Sequence, residues 1–469
     1  MSDPSFPSIN STAANILPTT RPAAAFGSPR REGRALKHAI QPCLRVGGVT
    51  AALLLPSTVA AGPAASTPAA PVAKPWTFAT SVGAKTGYDS NVLLQDFGDQ
   101  ANREAWVNSL SALFAATYQP NPLFKAVVSY APEFVFYEGE SNENNVTHRG
   151  ALNLSGKSGD TTWELLNGVT VIDGDDLGPW FTLNGGTSAA QLPAIGGIPT
   201  RDRRDAAIFK NCFKLTQTIG QAFVRPVASF YHHNFMTEQH RTSEPGFLGY
   251  ENYVDRQEFG GGFDLGYEAW TGTWLVAGFR AGQQNQFKNQ NGASSPYGNQ
   301  YYRILAGLEG SPVGWLKLNV LAGPDFREFD TATPVGFNPD RVYTFIDASA
   351  TISPTKADSV VLGVRRFLQP SFTSHCMYED IVYEATYRHQ FDSRFTAGAG
   401  FKAFGGEFRP PTQREDWIFT PSLSLSYTHN ANLVADLAYS YDWVNSEISN
   451  TEGREYTRQL VWLGLKYTF

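Results

Sequence analysis

From Trp76 to Phe469 the hydrophobic and polar positions alternate with a period of two. The last stretch shows it most plainly: Val461, Leu463, Leu465, Tyr467 and Phe469 interleave with Trp462, Gly464, Lys466 and Thr468. Upstream, Leu433, Ala435, Leu437, Tyr439, Tyr441 and Trp443 alternate with Val434, Asp436, Ala438, Ser440 and Asp442. Such a period puts one set of side chains on each face of a β-sheet. Eighteen segments of this kind are expected, over 76–86, 103–118, 123–137, 146–157, 161–173, 205–219, 221–235, 250–268, 273–285, 299–311, 314–329, 340–352, 358–368, 375–390, 393–404, 414–428, 431–444 and 454–469, with 16–20 as the range of the count.

The connections between them alternate in length. Short turns fall at Gln119–Pro122, Gly156–Asp160, Pro312-Val313, Ser353–Lys356, Gln390–Asp392 and His429-Asn430. Long loops are expected at 87–102, 138–145, 174–204, 236–249, 286–298, 330–339, 405–413 and 445–453. Short turns on one rim and long loops on the other make the pattern of an all-β, transmembrane, antiparallel up-and-down barrel of the outer membrane. In a bilayer every backbone N–H and C=O needs an internal partner, which a closed sheet supplies. A secreted soluble sandwich or propeller also alternates. Aromatics gathered at segment ends and isolated charges at mid-segment on the polar face, where a dry core would not accept them, favour the membrane.

Composition agrees. Charged residues are 17% of the 469, below the ~25% of an ordinary soluble domain, while Tyr numbers 20 and Phe 32. The net charge of −6 argues against a nucleic-acid partner. No apolar run reaches the ~18 residues of a transmembrane helix. Three Cys do not make a disulfide scaffold. Before the barrel, residues 1–61 combine a Ser/Pro/Ala/Thr-rich stretch, basic residues from Arg30 to Arg45, the short apolar run Val46–Leu55 and the small-residue site Val59-Ala60-Ala61. Together these read as an extended N-terminal stretch with a secretory signal peptide, and the Pro/Ala-rich 62–75 reads as a linker.

Two short motifs add to this. Tyr88, Asp89, Ser90, Asn91 and Val92 resemble the Tyr-Asp-Asp-Asn-Val type motif near the barrel start in the beta-barrel porin 2 family of Gram-negative outer-membrane proteins, with Ser90 in place of Asp. That resemblance implies an outer-membrane barrel and says little of its solute. The final strand with Val461, Leu463, Leu465, Tyr467 and terminal Phe469 resembles the C-terminal signal of such proteins, which implies the barrel-assembly machinery and outer-membrane lipid as partners.

Sixteen to eighteen strands leave an aqueous channel unless something fills it. The expected function is therefore a porin-like channel for passive diffusion of small hydrophilic solutes. The alternatives are an export channel for a secreted polysaccharide and a non-conducting structural or surface-binding barrel. Alternation assigns to the lumen the bases Lys125, Lys210, Lys214, Arg225, Arg280, Arg303, Lys317, Arg365 and Lys402, and the acids Glu133, Asp264, Glu309, Asp325, Asp347, Glu384 and Asp436. Each is cheaper in water than facing lipid, where a mid-plane Arg or Lys costs about 2–4 kcal/mol. The longest loop, 174–204, is expected to set the constriction, with Asp173, Asp175 and Asp176 at its start and Arg201, Arg203 and Arg204 at its end. Small outward residues Ala397, Ala399 and Ala403 suggest the seam of a homo-oligomer. No cofactor, metal or enzyme activity is expected: His232 and His233 are adjacent and point to opposite faces, and His375, Cys376, Glu379 and Asp380 lack a recurrent ligand spacing. Asp89 and Asn91 are read as ending a strand by bonding their own backbone.

Overall fold

The computed structural model describes residues 75–94, 96, 98, 101–174, 205–236, 254–287, 294–330, 333–339, 341–371, 375–410, 414–447 and 455–469. Their strands run in chain order as β1 (Trp76–Asp89), β2 (Ala105–Asn121), β3 (Phe124–Tyr137), β4 (Asn145–Ser158), β5 (Thr161–Asp173), β6 (Ala206–Ile219), β7 (Ala222–Phe235), β8 (Arg256–Trp270), β9 (Thr273–Gln286), β10 (Asn299–Val313), β11 (Leu316–Phe329), β12 (Tyr343–Ile352), β13 (Asp358–Pro370), β14 (Met377–Gln390), β15 (Phe395–Phe408), β16 (Arg414–Thr428), β17 (Leu433–Ser446) and β18 (Thr457–Thr468). Each pairs antiparallel with its sequence neighbours, and β1 pairs with β18, so the sheet closes on itself. The count and order are those the alternation predicts.

The two parities of each strand explain the closure. On β18, Val461, Leu463, Leu465 and Tyr467 are exposed, and on β16, β8 and β2 so are Leu423, Phe263, Leu265, Leu110 and Phe114. These side chains form a continuous apolar outer face, whereas Ser422, Asp264, Arg303 and Ser109 on the other parity are buried inside. A closed sheet that is apolar outside and polar inside satisfies its backbone in lipid and its side chains in water. The chain is thus an outer-membrane β-barrel. Most strands have 13–17 residues, more than the ~9–11 that cross the hydrocarbon core, so strand ends stand clear of it.

The short-turn rim is built from local backbone capping. Asn430 Oδ1 accepts from the N–H groups of Asn432 and Leu433, and Asp392 Oδ1 from those of Arg394 and Phe395, both at 2.7 Å. Those two donors hold the Asp392 carboxyl below the usual carboxylate range. Gly159, Gly220 and Gly272 take positive φ in two-residue turns, as such hairpins require.

The wall is not uniform. In the β10–β11 pair a Cβ at Gly307 would lie 1.7 Å from the Val320 carbonyl oxygen, and one at Gly323 1.9 Å from that of Ile304. The backbones approach there as only glycine allows. Gly307→Ala is expected to destabilise the barrel by about 1–3 kcal/mol, read as a lower urea midpoint of the refolded protein. A midpoint equal to wild type would show that the strands part without cost.

The larger departure lies between β12 and β13. Their ladder ends at Ile346↔Arg366, although β13 and β14 continue to pair with each other as far as Pro370↔Met377. Beyond that point Phe367–Pro370 and Met377–Val382 are buried on both faces. A strand in a barrel wall keeps one face toward lipid, so the β13 edge of this hairpin has parted from β12 and leans inward, while β14 keeps its ladder to β15 as far as Tyr378↔Phe408.

Candidate pore constriction

Strand register sets which side chains meet inside. Arg225 bridges Asp264 (2.9 Å) and Glu309 (2.7 Å), and Arg280 reaches Asp264 at 2.7 Å. Arg303 lies 3.2 Å from Asp325, Arg365 3.0 Å from Asp380, and Lys402 3.3 Å from Glu384. Glu133 accepts from Arg149 and Ser109, and Asp436 from Ser426. Asp347 makes none of these direct pairs but lies within electrostatic reach of Arg365, Lys214 and Arg280, from three different stretches of wall. Lys125, Lys210, Lys214 and Lys317 make no ion pair among the described residues. Most interior charge is therefore arranged in opposed pairs, which offsets the cost of its partial burial.

The hairpin end is fastened by side chains of the facing wall. Arg256 on β8 donates to Gln369 Oε1 (3.1 Å) and to the Pro370 carbonyl (2.7 Å). Gln286 on β9 donates to the Ser371 carbonyl at 2.7 Å. Arg327 on β11 donates to the Leu368 carbonyl at 2.7 Å and also to Gln284, Asn299 and Asp325. As a result β9 and β13 come within 8 Å, Cα to Cα, although three strands lie between them in the sheet. On the hairpin itself Gln369 Nε2 donates to Asp380 Oδ2 (2.8 Å) and to Tyr378 Oη. The edge carbonyls that a wall strand would give to a neighbouring strand are here satisfied by three cross-lumen donors, in keeping with the rule that buried backbone groups find partners.

The other face of the hairpin carries residues whose parity would point at lipid. Glu379 is held there by Arg366 and Arg409, and Arg409 also binds Glu407 at 2.6 Å. Leu368 and Met377 pack with Tyr297, Phe337, Tyr343 and Phe329. Phe337 comes from the β11–β12 loop and fills the breach left beside β12. An apolar filling and a four-residue ion cluster thus share the space between hairpin and wall.

A second element folds inside the same rim. The β1–β2 loop sends Leu94 into a cluster with Ile418, Val444 and Tyr456, and Val92 against Val107 and Tyr137. Leu94 has φ 55°, a region that costs a branched residue roughly 1 kcal/mol or more. Complete burial of its side chain offsets that cost.

The resemblance motif sits beside this loop, at the closing seam. Asp89 is buried against Arg458 of β18, whose Nε lies 2.8 Å away. The Asn91 N–H donates to Asp89 Oδ1 (3.1 Å), the local backbone bond expected of such residues. Asn91 Nδ2 also donates to the Thr457 carbonyl and to Asp96, and Asp96 accepts from the Thr457 N–H. Burial in this loop raises the Asp96 carboxyl above its ordinary value. Tyr88 donates to Glu104 on the outer side. At the other end of the seam Phe469 is exposed and donates its N–H to the Thr80 carbonyl at 2.9 Å.

Several residues singled out in the sequence fall elsewhere. Asp175, Asp176, Arg201, Arg203 and Arg204 lie outside the described residues, and Asp173 ends β5 exposed. His233 faces Tyr231 at 3.2 Å, while His232 stacks on Phe209 and Phe230 on the other face. His375, Glu379 and Asp380 go to three separate partners: the Phe287 carbonyl, the two arginines and Arg365. Burial lowers the His375 imidazole from its ordinary value. Sequence reasoning passed over Arg256, Arg327, Gln369 and Arg458, the residues that fasten the constriction and the seam. It also gave no long loop to residues 369–374. One signal was present: Arg365-Arg366 and Glu379-Asp380 are consecutive charges, so one of each pair must take the lipid parity.

No protein-family model and no curated protein matches the chain. Solved structures do match in architecture. OpdK of Pseudomonas aeruginosa, an outer membrane protein, is similar over 84% of this chain and 99% of its own, at 11% identity and a TM-score of 0.39. OccAB1 of Acinetobacter baumannii covers 84% and 97% at 12% identity and 0.40. The siderophore receptor PirA of Pseudomonas aeruginosa covers 84% and 80% at 9% identity and 0.38. Proteins with different roles match equally well, so the likeness concerns barrels alone and no solute is carried over from it.

Proposed function

We propose that this barrel is a channel for passive passage of small hydrophilic solutes across the outer membrane, narrowed by the inward end of the β13–β14 hairpin. The observation that carries the reading is the interior itself: charge in opposed pairs around the wall, with a hairpin whose β13 edge has lost its ladder to β12 and is fastened across the lumen by side-chain bonds instead. A non-conducting barrel would have its loops seal the lumen, and an exporter of a polymer would keep a wide bore; the inward β13–β14 hairpin supports a narrower passage. The loop 174–204 is proposed as a further part of the constriction. The C-terminal strand, with Phe469, is proposed as what the assembly machinery reads.

Single-channel recording of the refolded chain in a planar bilayer tests the reading. Discrete steps in KCl, with a weak charge preference in a salt gradient, are expected. A heat-modifiable, folded barrel that passes no current under any condition would exclude a solute channel.

A further inference from the structure

One sector of the lipid-facing wall is polar at mid-height. Asn167 is the seventh of the 13 residues of β5, and Asn211 is the sixth of the 14 residues of β6. The two are cross-strand partners. Their parity is outward. The adjacent pair Gly168↔Lys210 faces the lumen, where Lys210 Nζ lies 5.8 Å from the centroid of the Tyr231 ring. Phe230, opposite Asn211, packs on the exposed Phe259 with ring centroids 4.9 Å apart. At similar height other strands present Leu110, Phe263, Ile304 and Leu463 to lipid. Outward carboxamides elsewhere, such as Asn108, Gln283 and Gln300, stand near the ends of their strands.

The barrel itself leaves these two amides largely unsatisfied. Asn167 Nδ2 donates to the Leu152 carbonyl at 3.0 Å. Its Oδ1 accepts no hydrogen bond, and the Asn211 side chain makes none, among the described residues. Both side chains are half-buried and so belong to the surface. The outward His148, by contrast, is joined to Tyr130 at 2.7 Å. Hydrocarbon offers an amide no partner, and each unmet donor or acceptor there is costly. Lipid head groups do not reach mid-height, and acyl tails carry neither donor nor acceptor. Another protein wall supplies both.

We propose that the outer face of β5 and β6 is the contact between two copies of this chain, related by a two-fold axis beside the Asn167–Asn211 pair. A carboxamide is donor and acceptor at once, so the same pair on each copy complements itself, as an isologous contact requires. Gly150 opposite Val169 and Ala228 opposite Phe213 keep the wall low on either side, which lets the two sheets approach and adds packing to the hydrogen bonds. This contact lies on the far side of the ring from Ala397, Ala399 and Ala403 of β15. It rests on the barrel and not on whether the barrel conducts.

The refolded full chain is sedimented in detergent, with heat-modifiable migration as the check that each variant is folded. Wild type should be a dimer. N167L/N211L removes the amides from a lipid-facing surface, so it should fold and should associate at least about tenfold more weakly, the loss expected for two or three hydrogen bonds between membrane-spanning segments. Val169→Cys places a thiol one outward position from Asn167, and a short bismaleimide should join it into a covalent dimer above the wild-type background. Cys212 faces the lumen and Cys376 is buried. Ala399→Cys, treated alike, should stay at that background. Val169→Cys keeps both asparagines and reports on the contact even if the leucine variant does not fold. A monomeric wild type would overturn the proposal, as would a dimer equally stable in N167L/N211L. Crosslinking at Ala399 but not at Val169 would put the interface on β15 and overturn it as well.

Discussion

Excising residues 369–378 and joining Leu368 to Glu379 through Asn-Gly should raise the single-channel conductance at least about twofold, because an unobstructed barrel of this strand number is an open aqueous channel. Leu368 and Glu379 are already cross-strand partners, so a two-residue turn closes the shortened hairpin without changing its register. The excision removes the Gln369, Pro370 and Ser371 acceptors of Arg256 and Gln286, and it leaves the Glu379 cluster with Arg366 and Arg409 in place. The milder Arg327→Ala cuts the bond to the Leu368 carbonyl and should give flickering between two conductance levels rather than one larger step. Deleting 178–198 is the matched comparison. If that deletion widens the step and the hairpin excision does not, the narrowest point lies in the loop and the hairpin is a bystander.

Why the hairpin escaped the sequence while the barrel did not is a matter of period. A wall strand has one partner on each side and lipid on one face, so its side chains obey a strict alternation that any reader of the chain can count. Val461 to Phe469 could be assigned from that rule alone, and the paired interior acids and bases follow from the same parity. At Phe367 the rule ends, because a strand buried on both faces has no lipid parity to obey. Leu368 and Met377 then look like outward residues, and Glu379 looks like an error. The partners that explain them, Phe337 and Arg409, lie on other loops and strands, tens of residues away. Adjacent charges such as Arg365-Arg366 mark the place, since a mid-plane outward arginine costs about 2–4 kcal/mol, but they do not say which way the strand turns. The β1–β2 loop repeats the lesson: Leu93-Leu94 is an apolar pair in a segment read as an external loop, and its target, the inner side of Ile418 and Val444, is visible only once the barrel closes.

Closure is where the largest loss of stability is expected. The β1–β18 seam joins segments nearly four hundred residues apart, and its ladder runs only from Ser81↔Thr468 to Asp89↔Leu460, whereas β1 pairs with β2 along its whole length. Above the last rung the seam is held by Asp89 with Arg458, and by Asn91 and Asp96 with Thr457. Asp89 is fully buried and Arg458 nearly so. Removing one member of such a pair strands the other, at a cost of about 3–5 kcal/mol. Arg458→Ala should be the worse of the two single changes, because Asp442 also lies within electrostatic reach of Arg458, and two carboxylates would then lose this guanidinium. Asp89→Ala leaves Arg458 with Asp442 and should cost less. The double variant Asp89→Ala/Arg458→Ala should recover part of the loss, since no buried charge of the pair remains unmatched. Urea unfolding of the refolded barrel, followed by tryptophan fluorescence and by heat-modifiable migration, orders the three variants. Equal losses for both single variants and the double would mean that the seam is held by its backbone ladder, and that the Asp89 motif serves something other than closure.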